Sequence, residues 1–158
     1  MSVLSTTLPT LRDGIARVLD TIGIHTAAGL KVYDFEPRDF DQLPAAMIKL
    51  PAITRRRPDE RDNVIGRADL ATEWPVDIVI ALDDPQTGQN AALEWAGRIV
   101  GAFDDNPTLL DTNGAGVQYV VEAVVAELTP AFSVPEPEEN RRALVIYSAT
   151  VAVLSEHP

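Results

Sequence analysis

The chain has no cysteine. Disulfides, thiol catalysis and thiolate-bound metals are excluded with it. Histidine is nearly absent: His25 and His157 are the two, in unrelated segments. Neither lies in a His-and-carboxylate pattern with metal-ligand spacing. No Gly-x-Ser-x-Gly accompanies His25, so a hydrolase triad has no support from the sequence. There is no glycine-rich phosphate loop. Thr87-Gly88-Gln89 is too short, and Asn113-Gly114-Ala115-Gly116 leads into a predicted strand rather than a helix. Basic charge is scarce, 13 Lys and Arg against 24 Asp and Glu, for a net charge of −11. The basic footprint of nucleic-acid binding is therefore missing overall. The exceptions are local, Arg55-Arg56-Arg57 and Arg141-Arg142. No run approaches the roughly 20 apolar residues that cross a bilayer. The first residues lack the basic start and apolar core of a signal peptide. Repeats at periods of about 20–50 residues and heptads are also missing. These absences lead to the expectation of a protein that is not an enzyme and carries no metal or cofactor.

What is present is a fold signature. At 158 residues and 46% hydrophobic, the chain is expected to form one domain with a core that needs no staples. Glu73 to Leu82 alternates, with Trp74, Val76, Ile78, Ile80 and Leu82 on one face and Pro75, Asp77, Val79 and Ala81 on the other. That is a strand. Ala92, Trp95, Ala96, Ile99 and Phe103 then recur at helical spacing. A strand and an amphipathic helix joined by a short turn hide their apolar faces against each other. Asp83 and Asp84 read as N-terminal charges of that helix, and Pro85 as a residue of its first turn.

Before this unit, Leu8, Leu11, Ile15, Val18, Leu19 and Ile22 form a helical stripe. Thr7 is the expected cap, Pro9 falls in the expected first turn, and Gly23 is the expected stop. Leu30 to Phe35 alternates as a short strand. Ala45 to Leu50, between Pro44 and Pro51, suits a short strand near a sheet edge. Residues 52–72 read as a long loop, in which Arg55 to Asp62 crowds charges of both signs around Pro58. Loops of that length in a compact domain are functional or disordered. The readings for this one are a solvated loop or a partner contact.

After the unit, residues 104–116 are rich in turn formers. Asp104, Asn106 and Thr108 faintly resemble a calcium loop, but Leu109 stands where its glycine belongs and Ala115 where its closing glutamate belongs. Val117 to Leu128 and Ala143 to Leu154 are long strands apolar on both faces, as strands covered twice are. Residues 129–142 between them, with three prolines and three glutamates, read as a stiff projecting connection. Phe132 and Val134 either fold back onto the sheet or dock on a partner.

The order of these elements, the entry Gly29-Leu30-Lys31-Val32-Tyr33, the strand Pro44-Ala45-Ala46-Met47-Ile48 and the passage Asn106-Pro107-Thr108-Leu109-Leu110 resemble the tail terminator (tail completion) proteins of long-tailed bacteriophages. The resemblance runs from about Leu8 to Leu154. It rests on layout and short motifs, since that family has no catalytic signature.

The resemblance implies an α+β fold, an α/β sandwich with a mixed, mainly antiparallel sheet of about five strands and two helices on one face. It implies a ring, a hexamer in that family, which caps the tail tube at its final length and receives the head. The partners implied are further copies of the chain, the tail tube protein, the head–tail connector or stopper protein, and the end of the tape measure protein. Neither a membrane nor sequence-specific nucleic acid is implied, although DNA passes through such a ring. The implied location is the tail or neck of a virion, after synthesis in the host cytoplasm. Candidate contact residues are Arg55, Arg56, Arg57, Asp59, Glu60 and Arg61 of the charged loop, and Phe132, Val134, Glu136, Arg141 and Arg142 of the projection. The alternatives are another neck or head–tail joining protein, a small ligand-binding α+β domain, and an unrecognised hydrolase.

Overall fold

The alternating stretch around Trp74 becomes a strand of 15 residues, Ala68–Leu82, and the other strands assemble around it. In the computed structural model the residues described are 4–23, 29–38, 42–56, 68–82, 85–109, 120–133 and 143–157. In order they form α1 (Leu4–Gly23), β1 (Lys31–Tyr33), β2 (Ala45–Ile48), β3 (Ala52–Arg56), β4 (Ala68–Leu82), α2 (Pro85–Asp105), β5 (Val120–Ser133) and β6 (Ala143–His157). The fold is α+β, with a mixed and mostly antiparallel six-stranded sheet in the order β1-β2-β4-β6-β5 and β3 also paired with β4. Only the β1–β2 pair is parallel among the described strands.

Both helices lie on one face of the sheet. The helix-side residues of β4 are Leu70, Thr72, Trp74, Val76, Ile78 and Ile80, all buried. They stand in register with buried Ser155, Val153, Val151, Ala149, Tyr147 and Val145 of β6. The stripe Leu11, Ile15, Val18, Leu19 and Ile22 of α1 and the stripe Ala92, Trp95, Ile99 and Phe103 of α2 complete one continuous core. Burying a single such side chain contributes about 1.5–3 kcal/mol, so the helical stripes, rather than helix propensity, hold α1 and α2 in place. Two polar side chains of this core are hydrogen-bonded within it. Trp74 Nε1 donates to Thr72 Oγ1 at 2.9 Å, and the Tyr147 hydroxyl donates to the Ala92 carbonyl of α2. Burial raises the Tyr147 pKa above 10.0.

The structure differs from the sequence reading in several places. Helix α1 begins at Leu4, so Thr7 lies inside the helix and is not its cap. Gly23 is the last residue of α1, as expected, and the backbone nitrogen of Leu30 leaves no room for a side chain there, since it would lie 2.7 Å from a Cβ. Gly29 then turns the chain into β1 with φ +72°, a conformation that glycine adopts without steric penalty. Strand β2 is a short strand near the sheet edge, as expected. It lies between β1 and β4, and its prolines sit just outside the ladder at positions 44 and 51, where a missing N–H does no harm.

The loop expected over 52–72 is strand at both of its ends. Residues 52–56 pair with residues 69–73 of β4, because the long β4 extends past the end of β2 and the same edge takes a second short strand. The remaining residues, 57–67, lie outside the described ones, as do Asp83 and Asp84. Of the projecting connection expected over 129–142, residues 129–133 are strand, since β5 continues to Ser133, and 134–142 lie outside the described residues. Strand β5 reaches that length with register shifts at Val120/Glu122 and Val125/Glu127, bulges that no sequence periodicity announces.

The expectation of strands covered on both faces is met on one face only by this chain's own elements. The far face of β4 and β6 carries Ala71, Glu73, Pro75, Asp77, Val79 and Ala81 beside Leu154, Ala152, Thr150, Ser148, Ile146 and Leu144. Most of these are half-exposed; Val79 is buried. Leu109, at the glycine position of the calcium pattern, has φ 56° and no exposed surface. It ends a capped turn in which Asn106 N–H bonds Phe103 O at 3.1 Å and Leu109 N–H bonds Asn106 O at 3.0 Å. A hydrogen bond from Ala123 N–H to Pro107 O at 2.8 Å ties this turn to β5.

Candidate functional site

Strands β2 and β3 lie end to end along one edge of β4, separated by Lys49, Leu50 and Pro51. A backbone hydrogen bond from Lys49 N–H to Pro75 O at 2.8 Å holds this corner to β4. The corner opens a groove against the first turns of α1 and the end of β1. Its volume is about 630 Å³, and Leu8, Arg12, Phe35, Ile48, Ile53 and Trp74 are among its lining residues. Phe35 is 58% exposed, Leu50 90% and Ile53 51%. Three large apolar side chains exposed together around one groove are unusual for a lone soluble chain. Phe35 meets Tyr33 edge to face, with ring centroids 5.8 Å apart.

Charge surrounds the groove in pairs. Arg12 lies 3.8 Å from Asp34, and Lys49 lies 2.8 Å from Asp77 and 3.7 Å from Glu36. The hydrogen bond to Asp77 raises the Lys49 pKa above 10.5, against the lowering effect of partial burial, with help from the negative charges of Asp77 and Glu36. Lys49 is therefore a fixed cation at neutral pH. On the opposite end of α1, burial raises the Asp20 pKa, with Lys31 acting in the lowering direction. Among the described residues no group of three or more His, Asp or Glu side chains is placed to hold a metal ion. The groove thus combines an apolar floor with a rim of already paired charge.

Of the residues singled out from the sequence, the three described ones are not all brought together. Arg55 and Arg56 are in β3, opposite Leu70 and Asp69 of β4. Phe132 is in β5, opposite Val145 of β6, so β4 and β6 lie between β3 and β5. Phe132 is on the helix side of the sheet yet 55% exposed, on β5 at the lateral edge of the described sheet. Arg57, Asp59, Glu60, Arg61, Val134, Glu136, Arg141 and Arg142 lie outside the described residues. The groove itself escaped the sequence reading. Its lining comes from four separate segments, and the one local sign was Leu50, an apolar residue set between Lys49 and Pro51.

No family model matches the chain and no curated protein matches it. Among solved structures, the fold is similar to that of a chain in the virion of a native gene transfer agent (GTA) particle. The TM-score is 0.53 at 13% sequence identity, and the match covers 94% of this chain and 97% of that one. At that identity the likeness is one of fold, and it extends over nearly the whole of both chains.

Proposed function

We propose that the protein is a structural component of a phage-like virion, and more specifically a tail terminator. In this reading copies of the chain close into a ring of six on the end of the tail tube. The ring stops further addition of tube subunits and offers its other side to the head connector. The protein does no catalysis and needs no cofactor in this role. The carrying observation is the end-to-end fold likeness to a chain of a gene transfer agent virion. The element order and short motifs that resemble tail terminators support the narrower choice. The exposed groove and the exposed Phe132 on β5 support a protein that completes its surfaces on partners.

The test is to add the purified protein to polymerising tail-tube subunits and measure tube lengths by electron microscopy. Shorter tubes with a capping density at one end are expected. Tubes that grow at the same rate with bare ends refute the terminator role. A groove of this volume also falls in the range of small-ligand sites, which favours a ligand-binding domain as the second reading. That reading requires the isolated chain to bind a small molecule in the groove and to leave tube growth unaffected.

A further inference from the structure

The groove and Phe132 are complementary, and they cannot meet within one chain. Both lie on the helix side of the sheet. Ile48 and Ile53 are opposite the buried Val76 and Thr72, and Phe132 is opposite the buried Val145. They sit at opposite lateral edges, since β2 and β3 flank β4 on one side while β6 and β5 lie on the other. A two-fold contact would pair each patch with itself. A head-to-tail contact, repeated with the same face up, brings the Phe132 edge of one copy to the groove edge of the next.

Charge favours the same arrangement. A chain of net charge −11 repels its copies unless the contact matches its scarce cations with acids. Strand β5 contains Glu122 and Glu127 and no Lys or Arg, whereas β3 contains Arg55 and Arg56 and no acid. The acids Asp34 and Glu36 beside the groove are engaged by Arg12 and Lys49. The two bulges and Pro130 of β5 work against a continuous intermolecular ladder, which leaves the side chains to make the contact.

We infer that Phe132 of one copy seats in the groove of the next copy, between Phe35, Leu50 and Ile53 and above Ile48 and Trp74. This inference rests on the ring reading above and names the surfaces that would close the ring. Seating one phenyl ring covers on the order of 100 Å² of its own surface, far below the roughly 1,200–2,000 Å² of a stable pairwise interface. Open pairs are therefore weak, and the ring gains from the closing contact, which is intramolecular. Through Val145, Phe132 is level with Ile80 of β4, and the groove floor at Trp74 is 80 − 74 = 6 residues away along that strand. At about 3.3 Å per residue the neighbour is staggered by roughly 20 Å. A closed ring with that stagger has strands inclined to its axis, as a closed barrel does.

The lack of cysteine makes the test clean, because the introduced thiols are the only ones present. F132C and L50C chains, mixed and mildly oxidised, are expected to give a covalent heterodimer on a non-reducing gel. Neither variant alone is expected to cross-link. The F132C/L50C double variant is expected to give a ladder that stops at one closed species. The exposed variant F132S is expected to keep the wild-type melting temperature while its assembled fraction by native mass spectrometry falls at least tenfold. F132C homodimers would mean a two-fold contact and overturn the inference. So would a wild-type ring that forms with no heterodimer and no effect of F132S; in that case the ring reading stands and its surfaces lie elsewhere. A wild-type chain that remains single at every concentration and never cross-links also overturns it, and the tube-capping assay then decides the terminator reading separately.

Discussion

Val79 is the most informative position on the far face of the sheet. It is 2% exposed although neither helix lies on that side, and its register neighbours are Ala45 of β2 and Ile146 of β6. Val79→Asp keeps the side-chain volume nearly constant, so cavity terms are small and polarity decides. Loss of the buried valine costs about 1.5–3 kcal/mol. Burying the neutral carboxyl without a partner adds about 1–3 kcal/mol. The nearest cation on that face, Lys49, is already held by Asp77 at 2.8 Å.

Charge adds a pH dependence of definite sign. Burial holds the introduced carboxyl's folded-state pKa above its unfolded value of about 3.9. Below about pH 3.9 both states are protonated and the polar-burial cost alone remains. Above it the unfolded state ionises first, so stability falls by about 1.4 kcal/mol per pH unit until pH passes the folded pKa. At neutral pH the total is on the order of 5 kcal/mol, against the roughly 5–15 kcal/mol available to a domain.

The assay is urea unfolding of wild type, V79D, V79N and V79A at several pH values between about 4.5 and 7.5. V79N should share the polar cost and show no extra slope with pH, and V79A should lose about 2 kcal/mol. If V79D stays within about 1 kcal/mol of wild type at the upper pH, or tracks V79N at every pH, the far face is open at this strand and the reasoning fails.

Asp77→Asn should remove the largest cause of the raised Lys49 pKa. The Lys49 side-chain titration followed by NMR should shift downward, and an unchanged midpoint would show that Asp77 does not set it. Because the folded pKa is raised, the stability Lys49 contributes is present below its unfolded pKa of about 10.4 and is lost as pH rises through the folded value, so the wild-type advantage over D77N should shrink in that alkaline range. Leu109→Gly relieves a left-handed backbone that costs about 1–2 kcal/mol but gives up a fully buried leucine worth more than that with its cavity. A net loss of about 1–3 kcal/mol in chemical denaturation follows, and a gain would show that backbone strain dominates. Reversing Arg55, Arg56 and Arg57 to glutamate should weaken attachment to tail tubes in a sedimentation assay while leaving the melting curve near wild type. Normal attachment with a lower melting temperature would assign these residues to folding instead.

The sequence announced the elements whose buried faces are built from local spacing. Trp74, Val76, Ile78 and Ile80 fixed the face of β4, and Leu11, Ile15, Val18, Leu19 and Ile22 fixed that of α1, because periodicity within a segment follows directly from the geometry of strand and helix. What it concealed was pairing between distant segments. Ala52-Ile53-Thr54-Arg55-Arg56 carries too much charge to read as a strand, and it becomes one only because β4 extends past β2 and offers a free ladder edge. The internal place of β2 depends likewise on β1 pairing in parallel beyond it. Phe132 was visible as an apolar residue out of place, but the groove was not, since it is assembled from Leu8, Phe35, Leu50, Ile53 and Trp74, residues far apart in the chain.

The far face shows why apolar alternation alone overstates coverage. At its centre Asp77 stands beside Ser148 of β6, which in turn stands beside Thr129 of β5. Val79, Ile146, Ala81 and Leu144 lie to one side of this polar row, and Ala71, Ala152 and Leu154 to the other. A face buried in a permanent core would have to satisfy that row without water, at a cost of about 1–3 kcal/mol for each unpaired group. Lys49 satisfies its most expensive member from the edge of the sheet, and Ser148 and Thr129 remain exposed to solvent. The same cation that borders the groove thus keeps the middle of the far face compatible with water. On that side Val79, Ile146, Ala81 and Leu144 form one apolar patch, while beyond the wet band Ala71, Ala152 and Leu154 are interspersed with Glu73 and Thr150. A substitution such as V79D tests one patch alone, whereas D77N acts on the band and on the groove rim together.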